Sequence, residues 1–328
     1  MIASSLVFKI RHSTIDNINH YLLYEYIFVK CTSCLIFLVN PSGFSYLSTN
    51  TFFVKPKKTK TVYHTLTDGA KMYYEVHGQE NAAKTLVFIG GLSQSTIAWG
   101  GYLPALKSNY RIVVLDLIFQ GKSDAPATHR SFDQHAADVK SLLDHLELAK
   151  VYLIGISYGG AVNLRFMVNY PDRLIKSVVM ASFAHKPPMF NAIGLSWTNA
   201  LKAGGYELML DVMLPSVLGN SYFENPIIPI EVIKTGRKDL HLPNHNLFML
   251  MTATAESDDY RETLKQIQLP VMVMVGEEDI LCTPEINQAI ADAIPGSDFR
   301  VIEKVGHTLN LEAIPQSLAL IQEFVESE

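Results

Sequence analysis

The chain has 328 residues, of which 48% are hydrophobic, and a formal net charge of −5 at pH 7. This length and apolar content suffice for one large domain or two small ones. The main body has no strong basic cluster, which argues against nucleic acid as a partner. The three cysteines, Cys31, Cys34 and Cys282, do not form the pattern of a disulfide framework or a zinc site, so no metal is predicted.

Residues 1–60 differ in composition from the rest of the chain. Residues 21–39 are strongly apolar, but Glu25 and Lys30 interrupt them, and a transmembrane helix needs roughly 20 mostly apolar residues. We interpret residues 1–60 as an N-terminal extension: a targeting or disordered segment, or an over-extended start, with a poor membrane anchor as the third alternative. The basic run 55–60 is typical of a solvated linker. Membrane association therefore depends on this segment alone, and the cytoplasm is the expected location.

From residue 61 onward, short apolar segments alternate with amphipathic ones. Residues 61–66 and 71–77 predict two strands joined by a hairpin turn at 67–69. The further predicted elements are strand 85–89, helix 102–107, strand 111–115, helix 131–146, strand 150–154, helix 161–169, and strands 175–181, 271–275 and 299–302. This order is typical of an α/β fold with a mostly parallel central sheet and helices on both faces.

The alternation stops in the middle of the chain. Residues 185–262 carry Trp197, Pro215, Pro226, Pro229 and Pro243 and many Met and Leu residues, and they predict a helical lid inserted over the sheet. Residues 61–184 and 263–328 are then the two parts of the α/β core. In such sheets, ligands bind at the carboxyl ends of the strands, where the loops that follow residues 89, 181, 275 and 302 converge.

One pentapeptide has the form of a nucleophile elbow. The apolar strand 150–154 leads into Gly155-Ile156-Ser157-Tyr158-Gly159, and a helical segment follows. This G-x-S-x-G turn pushes the serine hydroxyl out above the sheet. The two glycines are needed because Cβ atoms at those positions would collide with the neighbouring strand or helix. Ser157 is therefore the candidate nucleophile.

A serine hydroxyl needs a general base, and the base needs an orienting acid. Asp279 follows the strand 271–275 and is the candidate acid, while His307 follows the strand 299–302 and a short loop and is the candidate base. The order Ser, Asp, His is the one that hydrolases with a G-x-S-x-G elbow use. Glu277 and Glu278 compete with Asp279, but we expect both to lie in the turn and to face water.

The attacked carbonyl develops a negative oxygen, which backbone N–H groups can stabilise. We expect the N–H groups of Tyr158, next to the nucleophile, and of Leu92, in the loop after strand 85–89, to form this oxyanion hole. The neighbouring glycines allow a close backbone approach. An apolar acyl pocket is predicted from lid residues and from residues near the elbow: Gly91, Phe183, His185, Trp197 and the stretch 248–251 that ends in Met251.

These motifs together resemble the α/β-hydrolase superfamily, in its esterase, lactonase and C–C hydrolase branch, over Val62 to Phe324. The matching blocks are Gly90-Gly91-Leu92-Ser93, with Trp99 further on, Leu115-Asp116 through Gly121-Lys122-Ser123-Asp124, Tyr170-Pro171-Asp172-Arg173, Gly276 to Asp279, and Gly306-His307 through Glu312. The resemblance implies a Ser-His-Asp triad, no cofactor and a substrate pocket shaped by a lid. The sequence departs from the family pattern at Gly90, where histidine is usual, at 118–120 and at Ile156.

Three functions remain open at this point. The first is a serine hydrolase that cleaves a carboxylic ester, lactone or related small acyl compound through an acyl-enzyme. The second is an acyltransferase with the same triad, because the lid alone would decide between water and another acceptor. The third is a non-catalytic ligand-binding protein. Whether the chain is a monomer or a homodimer is also open.

Overall fold

In the computed structural model of this protein, residues 20–23, 26–29, 38–40, 43–45, 62–239 and 243–327 are described. The chain divides into two compact units, residues 1–59 and 60–328. The first unit contains two antiparallel pairs of short strands: β1 (His20–Leu23) with β2 (Tyr26–Val29), and β3 (Leu38–Asn40) with β4 (Gly43–Ser45). Cys31, Cys34 and the basic run 55–60 lie outside the described residues.

The second unit is built on one sheet of eight strands in the order β12-β11-β10-β9-β7-β8-β6-β5. β5 and β6 pair antiparallel, as do β6 and β8, and every other neighbouring pair is parallel. The strands are β5 (Val62–Thr65), β6 (Lys71–Gly78), β7 (Thr85–Ile89), β8 (Arg111–Leu115), β9 (Val151–Ile156), β10 (Leu174–Met180), β11 (Val271–Gly276) and β12 (Asp298–Ile302). The predicted mostly parallel sheet is confirmed.

Helices cover both faces of this sheet. They are α1 (Leu103–Leu106), α2 (Phe132–His145), α3 (Tyr158–Asn169), α8 (Arg261–Leu264), α9 (Pro284–Ala293), α10 (Leu309–Glu312) and α11 (Ile314–Glu326). Alternate residues of β7 belong to different hydrophobic clusters: Val87 packs with residues of α2, α3 and α9, and Phe88 packs with residues of α1 and α11. Both faces of a central strand are therefore buried, which explains its continuous apolar sequence.

Four helices lie between β10 and β11 in the chain, in the stretch predicted as the lid. They are α4 (Pro188–Val217), α5 (Asn220–Glu224), α6 (Ile230–Asp239) and α7 (Asn244–Glu256). A kink at Gly204 and Gly205 breaks α4 into two halves, and Gly205 takes the left-handed φ of 70° that glycine tolerates. Among the described helices, none has both the length and the apolar character needed to span a membrane.

The predicted start of the helix after the elbow is wrong by three residues. We expected the helix to begin at Ala161, but α3 begins at Tyr158, directly after Ser157. Gly159 and Gly160 give no helical signal in the sequence, since glycine disfavours helix interiors. Both are instead required inside the first turn of α3, because side chains there would collide with neighbouring elements.

Candidate active site

Ser157 stands alone between β9, which ends at Ile156, and α3, which begins at Tyr158. Its backbone is strained, with φ 53° and ψ −116°. The turn can close this tightly because the residues two positions before and two positions after Ser157 are glycines. A Cβ on Gly155 would collide with the backbone of Gly159, and a Cβ on Gly159 would lie 2.5 Å from the carbonyl oxygen of Ile89. The structure therefore gives the physical reason for both glycines of the motif.

A continuous hydrogen-bonded chain joins the three candidate catalytic residues. His307 Nε2 lies 2.8 Å from Ser157 Oγ, and His307 Nδ1 lies 2.7 Å from Asp279 Oδ2. Because a carboxylate only accepts hydrogen bonds, Nδ1 carries the proton, and Nε2 is free to accept from the serine hydroxyl. Asp279 is 2% exposed and His307 is 5% exposed, so this chain of bonds lies almost out of water.

Asp279 is fixed from its second oxygen. Asp279 Oδ1 accepts hydrogen bonds from the backbone N–H groups of Leu281, at 2.9 Å, and of Cys282, at 2.8 Å. These bonds stabilise the ionised carboxylate and aim its other oxygen at His307. Burial raises the pKa of the neighbouring Cys282 thiol well above its usual value, so Cys282 is a neutral thiol and not a competing nucleophile.

The two glutamates beside Asp279 behave differently from each other. Glu277 is exposed, and its carboxylate accepts a hydrogen bond from the backbone N–H of Lys304. Glu278 is half-buried, and the expectation that it simply faces water is wrong. Its carboxylate accepts hydrogen bonds from the backbone N–H and the hydroxyl of Ser221, at 2.8 and 2.6 Å. Because Ser221 lies in α5, Glu278 ties a lid helix to the end of β11.

The loop after β7 also approaches the nucleophile closely. A Cβ on Gly91 would lie 3.3 Å from Ser157 Cβ. Two glutamines brace this loop: Gln94 Oε1 accepts from the Gly91 N–H at 2.9 Å, and Gln120 Nε2 donates to the Gly91 carbonyl at 3.1 Å. In the sequence, Gln120 stands out only as a departure from the family pattern, and nothing there predicts a role for Gln94. The next residue, Leu92, lines a cavity together with Ser157.

Tyr158 also lines that cavity. As the first residue of α3, its backbone N–H has no acceptor within the helix and is available to a ligand oxygen. Its side chain is buried and packs 4.8 Å, between ring centroids, from Phe132. The two predicted oxyanion-hole residues, Leu92 and Tyr158, thus line the same cavity as Ser157, and their role as donors stays a prediction.

A cavity of about 370 Å³ lies above the nucleophile, under the lid. Among the predicted pocket residues, Phe183, Trp197 and Met251 line it. Gly91 and His307 line a smaller adjoining cavity that also reaches Ser157. The two cavities share the residues Leu92, Ser157, Trp197 and Leu281. The candidate nucleophile is therefore at the floor of a mostly apolar space.

His185 does not belong to this space, which corrects the predicted pocket. It lines a neighbouring cavity with residues such as Pro187 and Ile280, and this cavity shares Phe190 and Leu281 with the main one. The neighbouring Lys186 lines the main cavity instead, and among the described lining residues it is the only charged one. Its ammonium donates to the carbonyl oxygens of Thr254 and Ala255, at 2.8 and 2.7 Å, at the end of α7. Burial lowers the pKa of Lys186.

Three of the four residues of the predicted stretch 248–251 also lie elsewhere. Leu250 is buried in the main hydrophobic cluster, and Phe248 and Met249 pack against that cluster. Only Met251 of this stretch lines the main cavity. Successive residues of helix α7 point in different directions, so a run of apolar residues cannot all face one ligand.

The described residues contain no group of three or more His, Cys, Asp or Glu side chains that could hold a metal ion. The polar groups around Ser157 include an imidazole, a carboxylate and backbone amides. Such a set can take a proton from a hydroxyl, return it to a leaving group, and stabilise an oxyanion.

Comparisons with known proteins agree with this architecture. A family model described as the alpha/beta hydrolase fold matches residues 84–201. The chain is 25% identical over 284 residues to a Bacillus subtilis (strain 168) protein named putative 2-succinyl-6-hydroxy-2,4-cyclohexadiene-1-carboxylate synthase, covering 81% of this chain and 99% of the relative. It is 26% identical over 238 residues to a 2-hydroxy-6-oxononadienedioate/2-hydroxy-6-oxononatrienedioate hydrolase of Escherichia coli O81 (strain ED1a), covering 68% of this chain and 81% of the relative.

A solved structure is similar over the same region. A thermophilic esterase from Thermogutta terrifontis superimposes with a TM-score of 0.73 and 26% sequence identity, covering 81% of this chain and 98% of the esterase chain. The predicted fold class and the resemblance to the superfamily are thus confirmed.

Proposed function

We propose that this chain, an α/β hydrolase by its fold and by its family-model match, is a serine hydrolase that cleaves a small carboxylic ester, lactone or related acyl compound. The observation that carries the proposal is the chain of hydrogen bonds from Ser157 through His307 to Asp279, at 2.8 and 2.7 Å. Each residue follows its own strand of one sheet, and the three meet at the carboxyl edge where ligands bind in such folds.

In the proposed reaction, His307 Nε2 takes the proton of Ser157 while the serine oxygen forms a bond to the substrate carbonyl carbon. The N–H groups of Leu92 and Tyr158 stabilise the resulting oxyanion, and each such donor is worth about 10²–10³ in rate. His307 then gives its proton to the leaving alkoxide, and the acyl group remains on Ser157. A water molecule, deprotonated by His307, attacks this acyl-enzyme. The imidazolium then returns its proton to Ser157 Oγ as the bond between that oxygen and the acyl carbon breaks, which releases the carboxylic acid.

Asp279 keeps its charge throughout this cycle. Its role is to hold the imidazole in the tautomer with hydrogen on Nδ1 and to stabilise the imidazolium that forms. The two backbone hydrogen bonds on Asp279 Oδ1 support that role because they fix the carboxylate independently of His307.

The cavity supports a particular kind of acyl substrate. Its lining is mostly apolar, with Phe183 and Trp197 near Ser157, so it suits a hydrocarbon or aromatic acyl group. Lys186 adds one positive charge to the lining. A substrate that carries a carboxylate away from the reacting carbonyl would pair with that ammonium. The E. coli relative is named for a dioate, which is a compound of this class.

The proposal is tested with p-nitrophenyl esters of graded acyl length. Replacing Ser157 with alanine should abolish their turnover. Ser196→Ala should preserve it, because Ser196 is exposed on α4 and, among the described residues, its side chain bonds only within that helix. A fluorophosphonate probe should label the wild-type protein and not the Ser157→Ala variant, and heating should abolish the labelling. Full esterase activity in Ser157→Ala would contradict the mechanism.

Two other outcomes would redirect the assignment. If the wild-type protein is not labelled by the probe and turns over no ester, it binds ligands without catalysis. If the acyl group is transferred to added alcohols or thiols faster than the acyl-enzyme is hydrolysed, the chain is an acyltransferase that uses the same triad. Product analysis with and without such acceptors separates the two enzymatic outcomes.

A further inference from the structure

The loop that carries His307 is held by a residue outside the triad. Glu312, at the end of α10, is half-buried and uses both carboxylate oxygens. Its Oε2 accepts hydrogen bonds from the backbone N–H groups of Gly306 and Gly219, each at 2.9 Å. Its Oε1 accepts from the backbone N–H of Thr308 at 3.0 Å and from the Thr308 hydroxyl at 2.7 Å.

These four bonds surround the candidate base. Gly306 and Thr308 are the residues immediately before and after His307, so one carboxylate fixes the backbone on both sides of the imidazole. The N–H of His307 itself donates to the carbonyl oxygen of Val217, at 3.2 Å. The amides on both sides of His307 bond to Glu312, and its own amide bonds to the end of α4. A shift of the His307 backbone would therefore break these bonds unless Glu312 and the end of α4 moved with it.

The same carboxylate also reaches the lid. Gly219 joins α4 to α5, and its backbone packs directly against Gly306: a Cβ on Gly306 would lie 2.7 Å from the carbonyl carbon of Leu218. Glu312 therefore bridges two segments that are far apart in the chain, the lid connection and the His307 loop. Val217, two residues before Gly219, lines the small cavity next to Ser157.

We infer that Glu312 is a positioning residue that sets His307 relative to Ser157 and couples that position to the lid. The inference rests on the proposed role of His307 as the general base. A backbone displacement of His307 lengthens the contact between Nε2 and Ser157 Oγ, and a misplacement of about 1 Å can cost about 100-fold in rate. The role concerns the chemical step more than ligand binding, because Glu312 does not line the main or the adjoining cavity.

The chemistry of the site makes Glu312→Gln a sharp test. Each glutamate oxygen accepts from two donors, and each pair includes a backbone N–H that cannot reverse its role. A glutamine has one acceptor oxygen and one NH₂ group, so either orientation of the amide sets donors against donors. The substitution keeps the shape of the side chain but breaks the bonds on one side of it.

Glu278→Gln is the matched control. Glu278 also ties the lid to the core through a carboxylate, by two hydrogen bonds to Ser221, two residues beyond Gly219. Its side chain makes no hydrogen bond to the residues that flank His307, as far as the described residues show. The pair of variants thus separates a loosened lid from a displaced base.

The experiment measures kcat and KM for a p-nitrophenyl ester, together with the second-order rate of phosphonylation by a fluorophosphonate. In Glu312→Gln we expect kcat and the phosphonylation rate to fall together, by about 10- to 100-fold, with KM changed less than about threefold. In Glu278→Gln we expect both rates to stay within about threefold of the wild type. Thermal unfolding of each variant establishes that it is folded at the assay temperature. If Glu312→Gln does not fold, Glu312→Asp replaces it, because aspartate keeps the charge and both oxygens but falls short by one methylene.

Three results would overturn the inference: equal losses in both variants, a loss in Glu312→Gln confined to KM, or unchanged rates in that variant. Each would mean that Glu312 does no more than attach the lid. The proposed function fails in a different way, through retained activity in Ser157→Ala.

Discussion

Replacing the buried His135 with phenylalanine should change the pH dependence of stability in a calculable way. His135 lies on α2 with 0% exposure, and its ring packs edge-on against that of Tyr158 at 5.6 Å between centroids. Neither ring nitrogen has a hydrogen-bond partner among the described residues. Burial, and to a smaller extent the charge of Arg130, lowers the pKa of His135 from 6.5 to about 3. The imidazole is therefore neutral in the folded protein at any working pH.

The sign follows from the proton count. Below its unfolded pKa of 6.5, the unfolded chain binds a proton at His135 that the folded protein does not, so stability is lost as the pH falls. The loss is about 1.4 kcal/mol per pH unit, or about 2 kcal/mol between pH 6.5 and pH 5. At pH 8 this contribution is zero. At that pH the free energy of unfolding of the variant should still exceed that of the wild type by about 1 kcal/mol, because two unpartnered polar atoms leave the core.

A neighbouring carboxyl works in the opposite direction in the wild-type protein. Burial raises the pKa of Asp138 to about 7, although Arg130 Nε lies 2.8 Å from Asp138 Oδ2 in an ion pair too bent for a hydrogen bond. The folded protein therefore takes up a proton at Asp138 as the pH falls through about 7, which favours folding down to the unfolded pKa near 3.8. The pH dependences of stability that come from His135 and from Asp138 offset each other over most of this range. The stability profile of the wild type alone therefore reveals little about His135.

The difference between variant and wild type removes the Asp138 contribution, because His135 is not among the causes of the Asp138 shift. Urea unfolding of both proteins at pH 8, 6.5 and 5 gives that difference. We expect the variant to be more stable by about 1 kcal/mol at pH 8 and by about 3 kcal/mol at pH 5. A difference that stays constant from pH 8 to pH 5 would refute the neutral, buried imidazole.

Two further predictions concern the site itself. In Gly159→Ala, the new methyl group meets the Ile89 carbonyl at 2.5 Å, which displaces the start of α3; kcat should fall by at least about 100-fold, as for a lost oxyanion donor, whereas Gly236→Ala, which meets no atom within 4 Å, should be fully active. Near-normal kcat in Gly159→Ala would show that the elbow tolerates the shift. In Lys186→Met, the preference in kcat/KM for esters with a terminal carboxylate over uncharged analogues should drop about fivefold, which is what the loss of a partly exposed ion pair costs. The preference should persist in Lys202→Met, which alters an exposed lysine of α4. An unchanged preference in kcat/KM would remove Lys186 from substrate recognition.

The elbow could be predicted from the sequence because its determinants are local. The strand, the two glycines and the serine occupy adjacent positions, and the steric reason for each glycine involves the turn itself and the strand beside it. The placement of Asp279 and His307 followed from a simple rule, since parallel strands deliver the residues after them to the same edge of a sheet. That rule needs only the direction of the strands and their approximate order, so the placement did not require the register of the sheet.

The lid could not be predicted at the same level. In α4 and α7 the apolar residues show little helical periodicity, so the sequence pattern does not distinguish the cavity face from the core face. The assignment of His185 to the pocket failed by one position, since the next residue, Lys186, lines the cavity. The roles of Glu278 and Glu312 could not be predicted either, because most of their partners are backbone N–H groups, which every sequence carries alike.

The kink in α4 divides the lid into two parts with different consequences for catalysis. Before Gly204, the helix contributes Phe190 and Trp197 to the wall of the main cavity. After Gly205, it contributes the carbonyl of Val217 to the His307 backbone. The sequence of the first half can therefore vary to suit the substrate, whereas the second half is constrained by its hydrogen bond to the His307 backbone. Substitutions that reshape the acyl pocket should be tolerated up to the kink and should reduce kcat beyond it, because beyond it the lid and the base move together.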